Sequence, residues 1–345
     1  LLSIDVNFSQ WLLLGAEALI KGTYSVRGNE LVIEARLYDV NRQRLSSGRR
    51  YVGRLKDLRR ISHAFADQVL KALTGFEGPF NSRIAYVSNK TGSKEIYIMD
   101  SDGHNDARMT DHRNIALNPD FSPDGREIIF TSYKRGNPDL YRKELASGKE
   151  APVSTRKGLN VTARYRPGGE EIALTMSRNG NTEIYLLNSK GKVEDRLTRS
   201  WGIDINPSWS PDGEQFAFMS DRQGNPHIFV AEAGDESARR LTRSGKYNAT
   251  PAWNPKKDLI AFTRMQGGIF DIYTIRADGS DERRLTFGAG SKEHPRWSPD
   301  GRFIVYSSDQ DGEKAIYMMR ADGSGSRRVS PAGGASQHPA WSVRR

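Results

Sequence analysis

Short apolar triplets recur along most of the chain, separated by polar turns, and their spacing is constant. One column reads Ile84-Ala85-Tyr86, Ile128-Ile129-Phe130, Ile172-Ala173-Leu174, Phe216-Ala217-Phe218, Ile260-Ala261-Phe262 and Ile304-Val305-Tyr306, each 44 residues after the last. A second holds single aromatic residues at Phe121, Tyr165, Trp209, Trp253, Trp297 and Trp341, again 44 apart. A third holds Tyr97, Tyr141, Tyr185, Phe229, Tyr273 and Tyr317, and a fourth Met109, Val153, Leu197, Leu241, Leu285 and Val329. Runs this short, with β-branched and aromatic residues bounded by turn formers, predict strands rather than helices.

Turn residues fall between the columns. Ser-Pro-Asp-Gly follows the aromatic column at 122–125, 210–213 and 298–301, and a Gly follows the triplets at 92, 136, 180, 224, 268 and 312. Pro fixes φ and Gly supplies positive φ, so these are tight hairpin turns. Each unit therefore has four short strands, and four strands per unit at about 40–50 residues predict a β-propeller blade. A four-stranded sheet cannot cover both its faces alone, so six such units are expected to close a ring. Each aromatic of the second column is expected to pack between neighbouring blades; burying one removes roughly 150–250 Å² from water, about 4–6 kcal/mol gross.

The ends of the repeat are complementary. The first unit starts at its second strand, near Arg83, and the last supplies only an inner strand, over 338–343. The C-terminal strand is expected to complete the N-terminal blade and so remove unpaired edges. The fold class read here is mainly β: a six-bladed β-propeller over 79–345, its closing blade completed by the C-terminal strand. It is preceded by a small, incomplete α+β domain over 1–78, the rear part of a larger domain. In that domain, strands are predicted over 18–26 and 31–40, and a third near 47–53. Leu55, Leu58, Ile61, Phe65, Val69 and Leu73 recur at helical spacing up to a stop at Gly75. A short helix near "SQWLLLGAEAL" is expected with Ser9 as its cap, and 74–80 reads as a linker.

Composition narrows the function classes. There is no cysteine, which excludes disulfides and thiolate chemistry. No apolar run approaches the roughly 18 residues of a membrane span, so no membrane insertion is expected. The first residues lack the basic start and long apolar segment of a signal peptide. The net charge of +10 is spread along the chain without a Lys/Arg run, which predicts a solvated mixed surface and no nucleic-acid site. Nucleophile elbows, phosphate loops and H-E-x-x-H are absent from the sequence.

The candidate site lies just before the inner strands. Three residues before the aromatic column stand Asn118, Thr162, Asn206, Thr250, His294 and His338, all polar and expected to rim one mouth of the central channel. Beside them lie Leu117, Val161, Ile205, Ala249, Glu293 and Gln337, and then Ala116, Asn160, Asp204, Asn248, Lys292 and Ser336. Varied loops on a rigid, repeated frame are where function usually sits. Three readings of this rim stand open: polar groups that bond channel water, a metal centre using His294, His338 and Glu293, and a protein-docking face.

The blade pattern "P-x-W-S-P-D-G", as in "NPSWSPDGEQFAFMSDRQGNPHIFV" (206–230) and "HPRWSPDGRFIVYSSDQDGEKAIYMMRADGS" (294–324), resembles the TolB family, periplasmic members of the bacterial Tol–Pal system. The terminal "HPAWS" and "ALIKGTYSVRGNELVIEARLYDV" (18–40) carry the same resemblance, which covers essentially the whole chain. It implies a non-enzymatic, monomeric, cofactor-free periplasmic scaffold that binds the lipoprotein Pal at the channel mouth and supports outer-membrane integrity and invagination during division. The implied Pal contacts are Leu159, Asn160, Thr162, Ile205 and Asn206, with equivalents at Asn118, Asn248, Thr250, Lys292, Glu293, His294, Gln337 and His338. The resemblance also implies TolA binding through an extreme N-terminal segment that this sequence is expected to lack. A calcium ion in the channel, and a metal-dependent, lyase-like carbohydrate enzyme built on His294 and His338, are the alternatives.

Overall fold

The computed structural model describes residues 5–178 and 180–343. The chain divides into two compact units, Leu1–Asn81 and Ser82–Arg345. In the first, α1 (Phe8–Leu13) precedes β1 (Ala18–Arg27), β2 (Glu30–Asp39) and β3 (Arg44–Arg54), which pair antiparallel in that order, and α2 (Leu58–Thr74) follows. The core is small: Leu31, Leu37, Val40 and Ile61 are buried, and Phe8 meets Tyr38 edge to face at 6.0 Å.

Local chemistry shifts several expected boundaries. Asn7, not Ser9, caps α1: its side chain accepts the Gln10 N–H at 3.4 Å, and Ser9 sits inside the helix. The third strand is longer than 47–53 because its pairing with β2 runs from Arg44 to Arg54. Leu55 opens a short 3₁₀ turn instead of α2, since the Asp57 carboxylate accepts the Arg54 N–H at 2.9 Å and tightens the chain there. Gly75 does end the helix, at φ 80°. The stretch after it is anchored: buried Asp67 accepts the N–H groups of Phe80 at 2.8 Å and Asn81 at 3.1 Å. Among the described residues no helix is long and apolar enough to cross a membrane.

The second unit is a β-propeller of six four-stranded antiparallel sheets. Their inner strands are Ala116–Phe121, Asn160–Tyr165, Asp204–Trp209, Asn248–Trp253, Lys292–Trp297 and Ser336–Trp341. Every aromatic of the second column is pressed between two blades, as its spacing predicts. Trp253 packs on Ile228 and Val230 of the preceding blade, and Phe121 on Ile96 and Ile98. Trp341 packs on Val305, Ile316 and Met318. In the Ser-Pro-Asp-Gly turns the Ser hydroxyl donates to the Asp carboxylate, 2.6 Å for Ser122 to Asp124, and accepts the Glu127 N–H at 2.9 Å. Outer strands are short because a side chain replaces the ladder. Hydroxyls of Thr110, Thr198, Thr242, Thr286 and Ser330 each accept a backbone N–H of the third strand at 2.9–3.0 Å.

The ring closes as the split repeat requires. Ser336–Trp341 pairs with β4 (Arg83–Thr91), which continues into β5 (Ser93–Asp100) and β6 (Ala107–Arg108). The closing strand begins at Ser336, two residues before the expected start, because its register with Ser88 and Val87 lies on the far side of a bulge. Reciprocal bonds clasp the two ends. The Arg83 N–H donates to the Ser342 hydroxyl at 2.8 Å, the Ser342 N–H to the Arg83 carbonyl at 2.8 Å, and the Trp341 indole to the Ser82 hydroxyl at 2.7 Å. If this strand is as integral as the others, Trp341→Ala and Trp253→Ala will lose similar stability in urea unfolding, about 3–5 kcal/mol each. A loss under about 1 kcal/mol confined to Trp341→Ala would mean a loosely attached end.

Candidate functional site

All six polar positions of the candidate rim share one backbone conformation. Asn118, Thr162, Asn206, Thr250, His294 and His338 have φ between 48° and 59°. In each inner strand the pairing register shifts by one residue across this position, as from Val161 to Arg164. Pro or Ala follows in every blade. The bulge sets these side chains facing the channel axis. Left-handed backbone is tolerated by Asn and His but costs a β-branched residue about 1–3 kcal/mol. Thr162 and Thr250 recover part of this by hydroxyl pairing with Thr175 at 2.8 Å and Thr263 at 2.6 Å.

These side chains therefore narrow the channel itself instead of forming its open rim. Asn118, Asn206, Thr250, His294 and His338, with Arg164 and Arg296, enclose a space of about 30 Å³. His294 and His338 meet edge to face, centroids 4.2 Å apart. His294 Nδ1 lies 3.2 Å from the Ser307 hydroxyl, and His338 Nδ1 has no partner among the described residues. Burial lowers both imidazoles, His294 to about 4, and holds them neutral at pH 7.

The expected metal and calcium readings fit this donor set poorly. Glu293 is engaged by the Lys314 ammonium, and no group of three metal-donating side chains occurs among the described residues. Asp120, a carboxylate lining the channel, is bonded to the Arg296 guanidinium. Calcium requires about six to eight oxygen ligands with carboxylates among them, so two guanidinium groups beside a spent carboxylate do not suit it.

Three of the expected partner contacts, Asn160, Asn248 and Lys292, are not surface residues but are buried. The Asn160 amide donates to the Arg156 carbonyl at 2.6 Å and the Gly158 carbonyl at 3.1 Å, and its oxygen accepts from Ser154 at 2.6 Å. Asn248 donates to the Ser244 carbonyl at 3.0 Å and accepts from Arg264 at 2.7 Å. The Lys292 ammonium donates to the carbonyls of Phe287, Gly288, Ala289 and Gly290 at 2.9–3.0 Å. These side chains fix the shape of the entry loops from within. Of the remaining expected residues, Ile205 packs partly against the core, Gln337 is half-buried and Leu159 is exposed.

The outward surface of these loops carries, beside the expected Leu159, residues that the sequence reading passed over. Six positions before the aromatic column stand Ile115, Leu159, Ile203 and Tyr247 in consecutive blades, then Ser291 and Ala335. Ile115, Leu159 and Ile203 are exposed, as are Trp201 (77%) and Phe287 (66%) in the same set of loops. Backbone bonds brace this arc: the Leu159 N–H donates to Ser177 Oγ at 2.8 Å and the Ile203 N–H to Asp221 Oδ1 at 2.6 Å. Arg113, Lys157, Arg243 and Lys246, all exposed, stand within four residues of Ile115, Leu159 and Tyr247 in the same loops, and Arg113 lies 4.0 Å from the Asp111 carboxylate. Trp201 carried a usable signal, as a tryptophan outside the 44-residue column.

Acid should expose the cost of the neutral histidines. His227 also lies near 4, lowered by burial and then by the charge of Arg240. A folded value below the unfolded one (about 6.5) means that the unfolded chain binds more protons between the two. Stability is then full above pH 6.5 and declines as pH falls toward 4. The melting temperature is expected to follow that course, and His294→Asn with His338→Asn to flatten it; an unchanged slope would place the imidazoles in water.

The family model described as the TolB beta propeller domain matches residues 70–345, and that of the TolB amino-terminal domain matches residues 3–46. A Tol-Pal system protein TolB of Syntrophotalea carbinolica is 63% identical over 127 residues, 37% of this chain and 30% of that protein. One of Geobacter sulfurreducens is 49% identical over 123 residues, 36% of this chain and 28% of its own length. The crystal structure of TolB from Acinetobacter baumannii superposes with a TM-score of 0.90 at 28% identity, covering 98% of this chain and 86% of that one. With a propeller match over most of its length and the amino-terminal match before it, this chain belongs to the TolB family.

Proposed function

We propose that this chain is a non-catalytic periplasmic component of a Tol–Pal system that captures the lipoprotein Pal on the loops entering the inner strands, in support of outer-membrane integrity and invagination during division. The observation that carries the reading is the exposed apolar arc Ile115, Leu159, Trp201, Ile203 and Phe287, displayed on loops held rigid from within. A preformed surface avoids the ordering cost of binding. Aromatic anchors with a polar surround are the usual composition of interface hot spots. The relatives' names supply the system, and the family resemblance supplies the partner. The basic fringe of Arg113, Lys157, Arg243 and Lys246 fits a partner whose contact surface is apolar at its centre and acidic at its edge.

Binding to purified Pal, measured by surface plasmon resonance, is expected to weaken tenfold or more, about 1.4 kcal/mol or above, in Trp201→Ala and in Ile203→Asp. Wild-type affinity in both variants would remove the arc from the interface. Raising salt from about 0.05 to 0.5 M is expected to slow association several-fold with little change in dissociation; a salt-independent on-rate would deny the basic fringe a steering role.

A further inference from the structure

The opposite end of the channel holds a second cavity that docking on the entry loops does not use. It has a volume of about 310 Å³ and is lined by Asp120, Arg164, Ser208, Trp253, Lys256 and Arg296, among others. It also includes Pro167, Pro255 and Pro299 of the turns that follow the inner strands. In an up-and-down blade those turns lie on the face opposite the entry loops.

Its charges do not balance. Asp120 and Arg296 come from blades that are not neighbours, and their ion pair bars the channel. The second Asp120 oxygen is also taken, by the Tyr165 N–H at 3.2 Å. Arg164 is left over. Its Nη1 donates to the Ala163 carbonyl at 2.7 Å, its Nε is buried without an acceptor, and it forms no ion pair among the described residues. Burial and then the neighbouring Arg296 push its guanidinium down to about 9, which leaves it charged at neutral pH. Lys256, an exposed turn residue, also lines the cavity. A half-buried cation whose nearest carboxylate is spent calls for an anion. A guanidinium presents its donors as a fork matched to two oxygens of a carboxylate or phosphate.

We propose that this chamber is an oxyanion site, with Arg164 as the principal donor and Arg296 and Lys256 in support. The volume exceeds that of a bare inorganic ion, so a phosphate or carboxylate group carried on a small molecule suits it. Partner docking on the other face is not required for it to fill.

Isothermal titration of the full chain with sodium phosphate, sodium sulfate and sodium succinate, at constant ionic strength set by sodium chloride, tests this. At least one is expected to bind saturably at one per chain and to raise the melting temperature. A response to phosphate and sulfate alone assigns a tetrahedral group, and to succinate alone a carboxylate. Arg164→Met should abolish the saturable response, and Arg164→Lys, which keeps the charge and loses the fork, should weaken it about tenfold. Arg113→Met, on the other face, should leave it intact. Should Arg164→Met fold poorly, the lysine variant and the wild-type titration still decide. No saturable binding of any of the three anions, or the same affinity in Arg164→Lys as in wild type, overturns the proposal.

Discussion

A sheet of four short strands with two apolar faces must be covered on both sides, and here each side is covered by another such sheet. The aromatic residue at the end of every inner strand is the contact on which this depends. It reaches the preceding blade and is sealed there, Trp253 on Val230 and Trp341 on Met318 alike. Six repetitions of that contact leave no uncovered face only if the last blade meets the first. The reciprocal bonds between Arg83 and Ser342, with the Trp341 indole on Ser82, follow from that need.

Closure also dictates the shape of the channel. Six inner strands brought around one axis crowd their side chains, and a one-residue bulge in each strand turns a single side chain toward that axis. The conformation is strained for Thr162 and Thr250, and the same bulge is kept in all six blades. The result is a constriction with different chemistry on its two sides: an apolar, braced display of loops at one face, and a positively charged chamber at the other, separated by the Asp120–Arg296 bar.

Much of this was legible in the sequence because packing contacts recur at a fixed period. Each blade meets the same neighbours, so the aromatic column, the Ser-Pro-Asp-Gly turns and the split closing blade could all be read. The site was less legible. Asn160, Asn248 and Lys292 read as surface residues because polar loop positions usually are. Their burial depends on carbonyls gathered by the folded loop, such as the four that surround Lys292. The bulge left only a faint mark, a polar residue before Pro in most blades, which fits an ordinary strand entry equally well. The Asp120–Arg296 pair joins residues 176 apart in sequence, a distance at which no local pattern speaks.

Hydrogen exchange of the backbone amides in Ser336–Trp341 tests the closed ring most directly. If the latch is an inner strand like the other five, its hydrogen-bonded amides will exchange only through global unfolding, at rates matching those of Asp204–Trp209 and with the same denaturant dependence. Exchange orders of magnitude faster in the closing strand, with no denaturant dependence, would show an end that frays on its own and would contradict the account.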